Sequence, residues 1–374
     1  MKKLSYLEAL RGLAALYIVF HHGFWLLWEG FGEYQKHSST YSPLRKILLI
    51  LPKAVYFGHE MVLFFFVLSG FVIHLRYSKQ LKENGASSFD WKEYFLRRLK
   101  RIYPTFLFAL LFTYLIDSFG KGLHLPVYFN ERVFPPGINR YSLETLLGNA
   151  FMLTNSYVPV WGTNVPLWSL KLEWWFYMLF PFFFLLLKRS NTLTFVVQIV
   201  LFCLAINPAW WPIRLLADTF TGMLIWWLGV ILADVYTKRI SIQFKTLGWL
   251  MLVIPLAYIL KKHISEHFYD LLWGVGFSGF LSIIFHFEQR IEKWRIIKPL
   301  AILGSFSYSL YILHMPMQFF MHGLLLKYNK TLPQHFNYVF LSALIAIVFT
   351  YLAHIMIERP FISTYPKDIK PLKP

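Results

Sequence analysis

The stretch LEALRGLAALYIVFHHGFWLLW, residues 7–28, is apolar over the length of a membrane span, yet it carries an arginine and histidines where a bilayer should meet only hydrocarbon. Arg11 and His22 are eleven residues apart. At about 100° per residue, eleven steps make three turns plus about 20°, so a helix sets both side chains on one face, roughly 16 Å apart along its axis. An arginine held inside a bilayer costs at least roughly 3 kcal/mol on insertion scales, which a function or a dedicated partner must justify. Two such groups on one stripe point to a polar path through the membrane.

The rest of the chain has the composition to line that path. Its 374 residues are 57% hydrophobic and 20% aromatic, with 15% charged. This is the profile of an all-α, polytopic integral membrane protein. An outer-membrane barrel would alternate polar and apolar residues, whereas the apolar runs here are continuous. The first run is too long for a cleaved signal peptide, contains Arg11 and lacks a small-residue cleavage site. The lone Cys203 excludes an intrachain disulfide and a cysteine-based metal site, and no metal is expected. A net charge of +18 would suggest nucleic acid in a soluble protein. In this chain it reads as basic cytoplasmic loops, and no nucleic-acid partner is expected.

Apolar segments fall near residues 7–28, 55–75, 99–119, 142–154, 167–187, 192–206, 215–236, 246–260, 269–287, 299–325 and 336–357. Segment 142–154 is the exception: as a helix it is only about 20 Å long, short of a bilayer core of roughly 30 Å. It also carries Glu144 and Asn149. Reading it as re-entrant or interfacial leaves about ten transmembrane helices, with both termini on one side. That side then holds 23 of the 37 lysines and arginines and the other side 12, Arg11 and Lys171 lying within spans. The positive-inside rule makes both termini cytoplasmic, in the inner membrane. Residues 42–54 read as an amphipathic helix on the outer surface. No linker or second composition block interrupts the chain, so residues 1–374 are expected to form a single domain with no fused soluble part.

This topology gives each unusual residue a depth. Arg11 falls in the inner half of the first span and His22 in the outer half. FLRRLKRIYP places Arg97, Arg98, Lys100 and Arg101 at the cytoplasmic mouth of the third span. VPLWSLKLEWWFYMLFP enters from outside, with Trp168, Ser169, Lys171 and Glu173 in its outer third. In SFSYSLYILHMP, a straight span would carry His314 about 22 Å from its cytoplasmic start, beyond Ser307 and Tyr308. A cationic mouth suits a phosphorylated nucleotide or coenzyme, since guanidinium forks match phosphate oxygens. A buried histidine near a carboxylate suits proton transfer from a hydroxyl. The combination describes an anionic donor inside and a hydroxyl acceptor outside.

Plainer readings stand beside these. Arg98 and Arg101 alone also read as a topology signal, and Ser69-Gly70 as small-residue helix packing. Glu173 also reads as the neutralising partner of Lys171 or Arg11, and His314 as a structural histidine. Glu358-Arg359-Pro360 reads as the end of the last helix, with Glu358 pairing a basic loop. A proton-coupled transporter would use the same polar stripe, although no inverted repeat or matching pair of broken helices is visible.

Taken in order, LEALRGLAALYIVFHH, FFFVLSGFVI, FLRRLKRIYP, WSLKLEWWFY, SYSLYILHMP and IERPF resemble the acyltransferase 3 family, integral membrane O-acyltransferases of carbohydrates and related acceptors. The resemblance covers essentially the whole chain. Glu8 stands where an aspartate is usual, and Trp174 where many members have an acidic or polar residue. The resemblance implies transfer of an acyl group, acetyl by expectation, from cytoplasmic acyl-CoA to a hydroxyl of an extracytoplasmic glycan or glycolipid. It implies His22 and Glu173 as the catalytic pair, Glu173 orienting His22, and Arg11, Arg98 and Arg101 as the coenzyme-binding set. Trp168, Ser169, Ser307, Tyr308 and His314 would line the acceptor side. Acyl-CoA would be a cosubstrate with no permanently bound cofactor. Membrane lipid and a separate acyl-accepting protein complete the expected partners.

Overall fold

A backbone in hydrocarbon finds no water to satisfy its N–H and C=O groups, so long apolar runs close their hydrogen bonds internally as helices. The computed structural model describes residues 4–84, 89–211 and 213–362. It is all-helical, with 78% helix and no strand among the described residues. In chain order the principal helices are α1 (Ser5–Leu27), α2 (Gly58–Asn84), α3 (Trp91–Gly122), α4 (Leu143–Ala150), α5 (Leu167–Leu187), α6 (Asn191–Ala205) and α7 (Arg214–Tyr236). They are followed by α8 (Phe244–Leu260), α9 (Glu266–His286), α10 (Ile297–Ser305), α11 (Ser307–Asn329) and α12 (Asn337–Ile362).

Seven helical stretches among the described residues are long and apolar enough to cross a membrane, and an eighth if α10 and α11 form one span. The expected ten segments are all present as helices. Two of them, α6 and α8, are too short to meet that test unaided. The 299–325 segment is not straight: it bends by 66° between α10 and α11. His314 therefore lies seven residues, about 10 Å, into a new helix, and the depth of 22 Å expected for a straight span does not apply. The outermost residues, 1–3 and 363–374, fall outside the described residues, and with them the ends whose side of the membrane the charge count assigned.

Segment 142–154 forms only the eight-residue α4, capped by Ser142, whose Oγ accepts from the Thr145 N–H at 3.0 Å. Asn149, the residue that makes this segment a poor span, closes the loop after it. Its amide donates to the carbonyls of Thr145 and Pro159, and its oxygen accepts from Thr154 Oγ1 and the Trp161 N–H. Every donor and acceptor of the buried amide is thus used. Residues 43–54 form two short helices, Pro43–Leu48 and Ile50–Ala54, with Leu44, Ile47 and Ile50 exposed. The last helix runs past the expected stop at Glu358-Arg359-Pro360 to Ile362. A π-turn over His354–Glu358 opens the hydrogen-bond ladder where Pro360 has no N–H to give.

The chain divides into two compact units. Unit 1 comprises residues 1–58, 96–168 and 295–374; unit 2 comprises residues 59–95 and 169–294. In unit 1, α1 packs on α10, α11 and α12. At its crossing with α10, a Cβ on Gly12 would lie 2.6 Å from the Gly304 nitrogen, and one on Gly304 would strike the Glu8 carbonyl. Only glycines allow backbones this close. In unit 2, α7 packs against α6 and α9. Gly70 on α2 lies against the Trp226 carbonyl, and Gly229 on α7 against the Val67 carbonyl. Gly70 therefore serves the packing role read from the sequence.

Candidate active site

The side chains of interest are set by α1, α3 and α11 in unit 1. Helix α1 is unbroken from Ser5 to Leu27, so Arg11 and His22 share the face that their spacing dictates. Where α1 meets α11, His22 Nδ1 lies 2.8 Å from His314 Nε2, with the rings stacked at 5.1 Å and 13°. His314 is fully buried, and its Nδ1 lies 3.1 Å from the Leu310 carbonyl. A carbonyl oxygen can only accept, so Nδ1 of His314 carries the hydrogen. With both rings neutral, Nε2 of His314 is then an acceptor, and Nδ1 of His22 must donate to it. That leaves the lone pair of His22 on Nε2, which has no hydrogen-bond partner among the described residues. His22 is a partly exposed residue. Its neighbour His21 lies with Nδ1 2.8 Å from the Val55 carbonyl and its ring 5.2 Å from that of His22.

Nδ1 of His22 is therefore met by His314, the position the sequence argument gave to Glu173. Glu173 belongs to unit 2, where it accepts a hydrogen bond from Tyr177. Since the single phenolic hydrogen of Tyr177 goes to the carboxylate, Ser69 donates to the Tyr177 oxygen at 2.8 Å, and Trp226 Nε1 donates to Ser69 at 3.2 Å. Glu173 thus ends a four-residue chain. Neither of the expected cations pairs with it among the described residues: Lys171 meets Asp218 at 3.1 Å, and Arg11 lies 3.8 Å from Glu8 on its own helix.

Arg98 and Arg101, three residues apart on α3, share one helix face, and both are partly exposed. Arg101 Nη1 reaches Glu358 Oε1 at 2.8 Å. The buried Glu358 also accepts from Ser309 Oγ at 2.5 Å and from His354 Nδ1 at 2.9 Å. Glu358 thus pairs with an arginine inside a helix and not with a basic loop. Ser307 donates to the Gly304 carbonyl and Tyr308 to the Ile102 carbonyl, so both hydroxyl hydrogens serve the packing of unit 1. Trp168 lies in unit 1 and Ser169, buried, in unit 2. The structure brings His22 together with His314, and Arg101 with Glu358, Ser309 and His354. The last three were missed as site residues. The sequence signal available was the four-residue spacing of His354 and Glu358, which sets both on one helix face; Glu358 was read only as part of the helix end.

A family model described as an acyltransferase domain, acyltransferase 3, matches residues 4–355. The chain belongs to the acyltransferase 3 family. No curated protein and no solved structure gave a match. Membership together with the long apolar helices makes the protein an integral membrane acyltransferase. Arg11, His22, Arg98, Arg101, Glu173 and His314 all lie within the matched residues, whereas Glu358 follows their end by three.

Proposed function

We propose that this acyltransferase 3 protein moves an acyl group, acetyl as the simplest case, from acyl-CoA on the cytoplasmic side to a hydroxyl of an extracytoplasmic glycan or glycolipid. One observation carries the reading: the hydrogen-bond chain from His22 through His314 to the Leu310 carbonyl, which leaves a lone pair on Nε2 of the partly exposed His22. That nitrogen is a general base. It takes the proton of the acceptor hydroxyl as the oxygen attacks the thioester carbonyl. The carbon–sulfur bond then breaks, the coenzyme sulfur leaves as thiolate, and the proton on Nε2 returns to it. His314 fixes the tautomer of His22 and spreads the imidazolium charge, the part a carboxylate plays in a hydrolase triad. In this reading Glu173 and Ser169 take no part in the proton transfer.

Arg98 and Arg101, with Arg11, hold the coenzyme phosphates, since their planar forks match phosphate oxygens better than point charges do. Helices α6 and α8 complete ten spans in the inner membrane, with both termini cytoplasmic, as the loop charges direct. Trp168 contacts the acceptor. The acyl group passes to the glycan directly or through a separate acyl-accepting protein.

Purified protein supplied with radiolabelled acetyl-CoA tests the reading. Wild-type protein should release coenzyme and label an acceptor or water, and the His22→Ala variant should do neither. Solute flux in vesicles without any acyl transfer would replace this reading by that of a transporter.

A further inference from the structure

We propose that Glu358 is a positioning residue for Arg101: its buried carboxylate anchors one edge of the guanidinium so that the other edge is presented to the coenzyme phosphates. The proposal rests on the reading of Arg101 as a coenzyme-binding residue and adds what holds that residue in place.

The geometry is one-sided. Glu358 is 1% exposed and Arg101 is 25% exposed, so the pair has a sealed end and an open end. At the sealed end the two carboxylate oxygens divide their work. Oε2 accepts hydrogen bonds from Ser309 Oγ at 2.5 Å and His354 Nδ1 at 2.9 Å, while Oε1, without a hydrogen-bond partner among the described residues, faces Arg101 Nη1 at 2.8 Å as an ion pair. Three helices, α3, α11 and α12, meet on this one carboxylate. A guanidinium carries five N–H donors, and among the described residues Glu358 is the ion-pair partner of Arg101. Most of its donors therefore remain for a ligand, on the end that solvent reaches.

An unanchored arginine would lose rotamer freedom on binding a phosphate, whereas one already held by a carboxylate has lost much of it beforehand. The carboxylate also cancels part of the charge of Arg101, but Arg98, on the same helix face, keeps the mouth cationic. The π-turn over His354–Glu358 fits this role. Such turns interrupt the regular ladder and recur at functional sites. Here it gathers His354 and Glu358 onto one carboxylate-centred cluster.

A purely structural staple would lower stability and leave coenzyme affinity unchanged, which separates the two roles. In detergent-solubilised full-length protein assayed with acetyl-CoA, Arg101→Ala should raise KM about tenfold. Glu358→Gln keeps the shape but not the charge; it should raise KM about five- to tenfold with kcat within about twofold. The double variant should be no worse than Arg101→Ala alone, since the second change then removes an anchor with nothing to hold. Ser309→Ala, which leaves the carboxylate charged, covers the case in which Glu358→Gln does not fold; it should raise KM about two- to threefold. If Arg101→Ala raises KM while Glu358→Gln and Ser309→Ala leave it at the wild-type value, positioning is overturned and the coenzyme role of Arg101 survives. If Glu358→Gln lowers thermal stability and kcat with KM unchanged, the contact is only a staple. If Arg101→Ala itself leaves KM unchanged, the coenzyme reading falls and takes this proposal with it.

Discussion

His22 and His74 belong to different units, and each has a ring nitrogen 2.8 Å from a fixed partner, His314 in one case and Asp234 in the other. The surroundings differ. His74 is fully buried, and its partner Asp234 also accepts from Ser78 at 2.5 Å and Arg239 at 2.9 Å, with Arg239 held in turn by Asn191. Phe180 and Phe184 wall the ring at 5.9 and 6.2 Å. A histidine with a carboxylate looks like catalytic equipment, yet nothing of substrate size reaches it. The His22 pair has no carboxylate, but it is partly open and keeps one nitrogen uncommitted. Each ring keeps one nitrogen without a hydrogen-bond partner, Nδ1 in His74 and Nε2 in His22, so accessibility, not the presence of an acid, distinguishes the pair fit for proton transfer from the pair that ties helices together.

The comparison is broken most directly by His22→Ala. It should lower acyl transfer by roughly 10³–10⁴-fold while the protein remains in the membrane, measured as label transferred per unit of purified protein. Next comes the sealed pair. Asp234→Ala strands Arg239 and His74 and should destabilise unit 2 by about 3–5 kcal/mol. Thermal unfolding in detergent would show this, with activity per folded molecule unchanged. Loss of activity at full stability would instead make the sealed pair catalytic. His314→Ala should then cost about 10²-fold in kcat, less than His22→Ala, because the base survives but its tautomer is no longer imposed. Glu173→Gln is its counterpart, and a larger loss there than for His314→Ala would return the orienting role to the carboxylate. The smallest effect is expected of Gly70→Ala. The added methyl meets the Trp226 carbonyl and should cost about 1–3 kcal/mol of stability by overpacking, again without changing activity per folded molecule.

Much of the fold is legible in the residues. Continuous apolar runs require helices, the eleven-residue spacing puts Arg11 and His22 on one face, and Glu144 with Asn149 marks 142–154 as unfit to span. Ser69-Gly70 announced a close helix crossing, and the crossing is there. The misreadings share a cause. The bend between α10 and α11 follows Gly304-Ser305, the kind of pair at which helices kink, but the apolar run continues across it and so reads as one straight span. Glu358 looks like a helix end because its partners, Arg101 and Ser309, are remote in the chain.

The chain alone determines that this is a helical membrane protein of the acyltransferase 3 family, and that an arginine and a histidine share a stripe of the first helix. The helices and the shared stripe follow from local periodicity and composition, which act over a few turns of chain, while the family follows from the order of motifs along it. Which group meets His22 is a different matter, because His314 is 292 residues away. Only the packing of α1 on α11 brings the two rings together, and only the Leu310 carbonyl behind His314 decides which nitrogen of His22 is left with a lone pair.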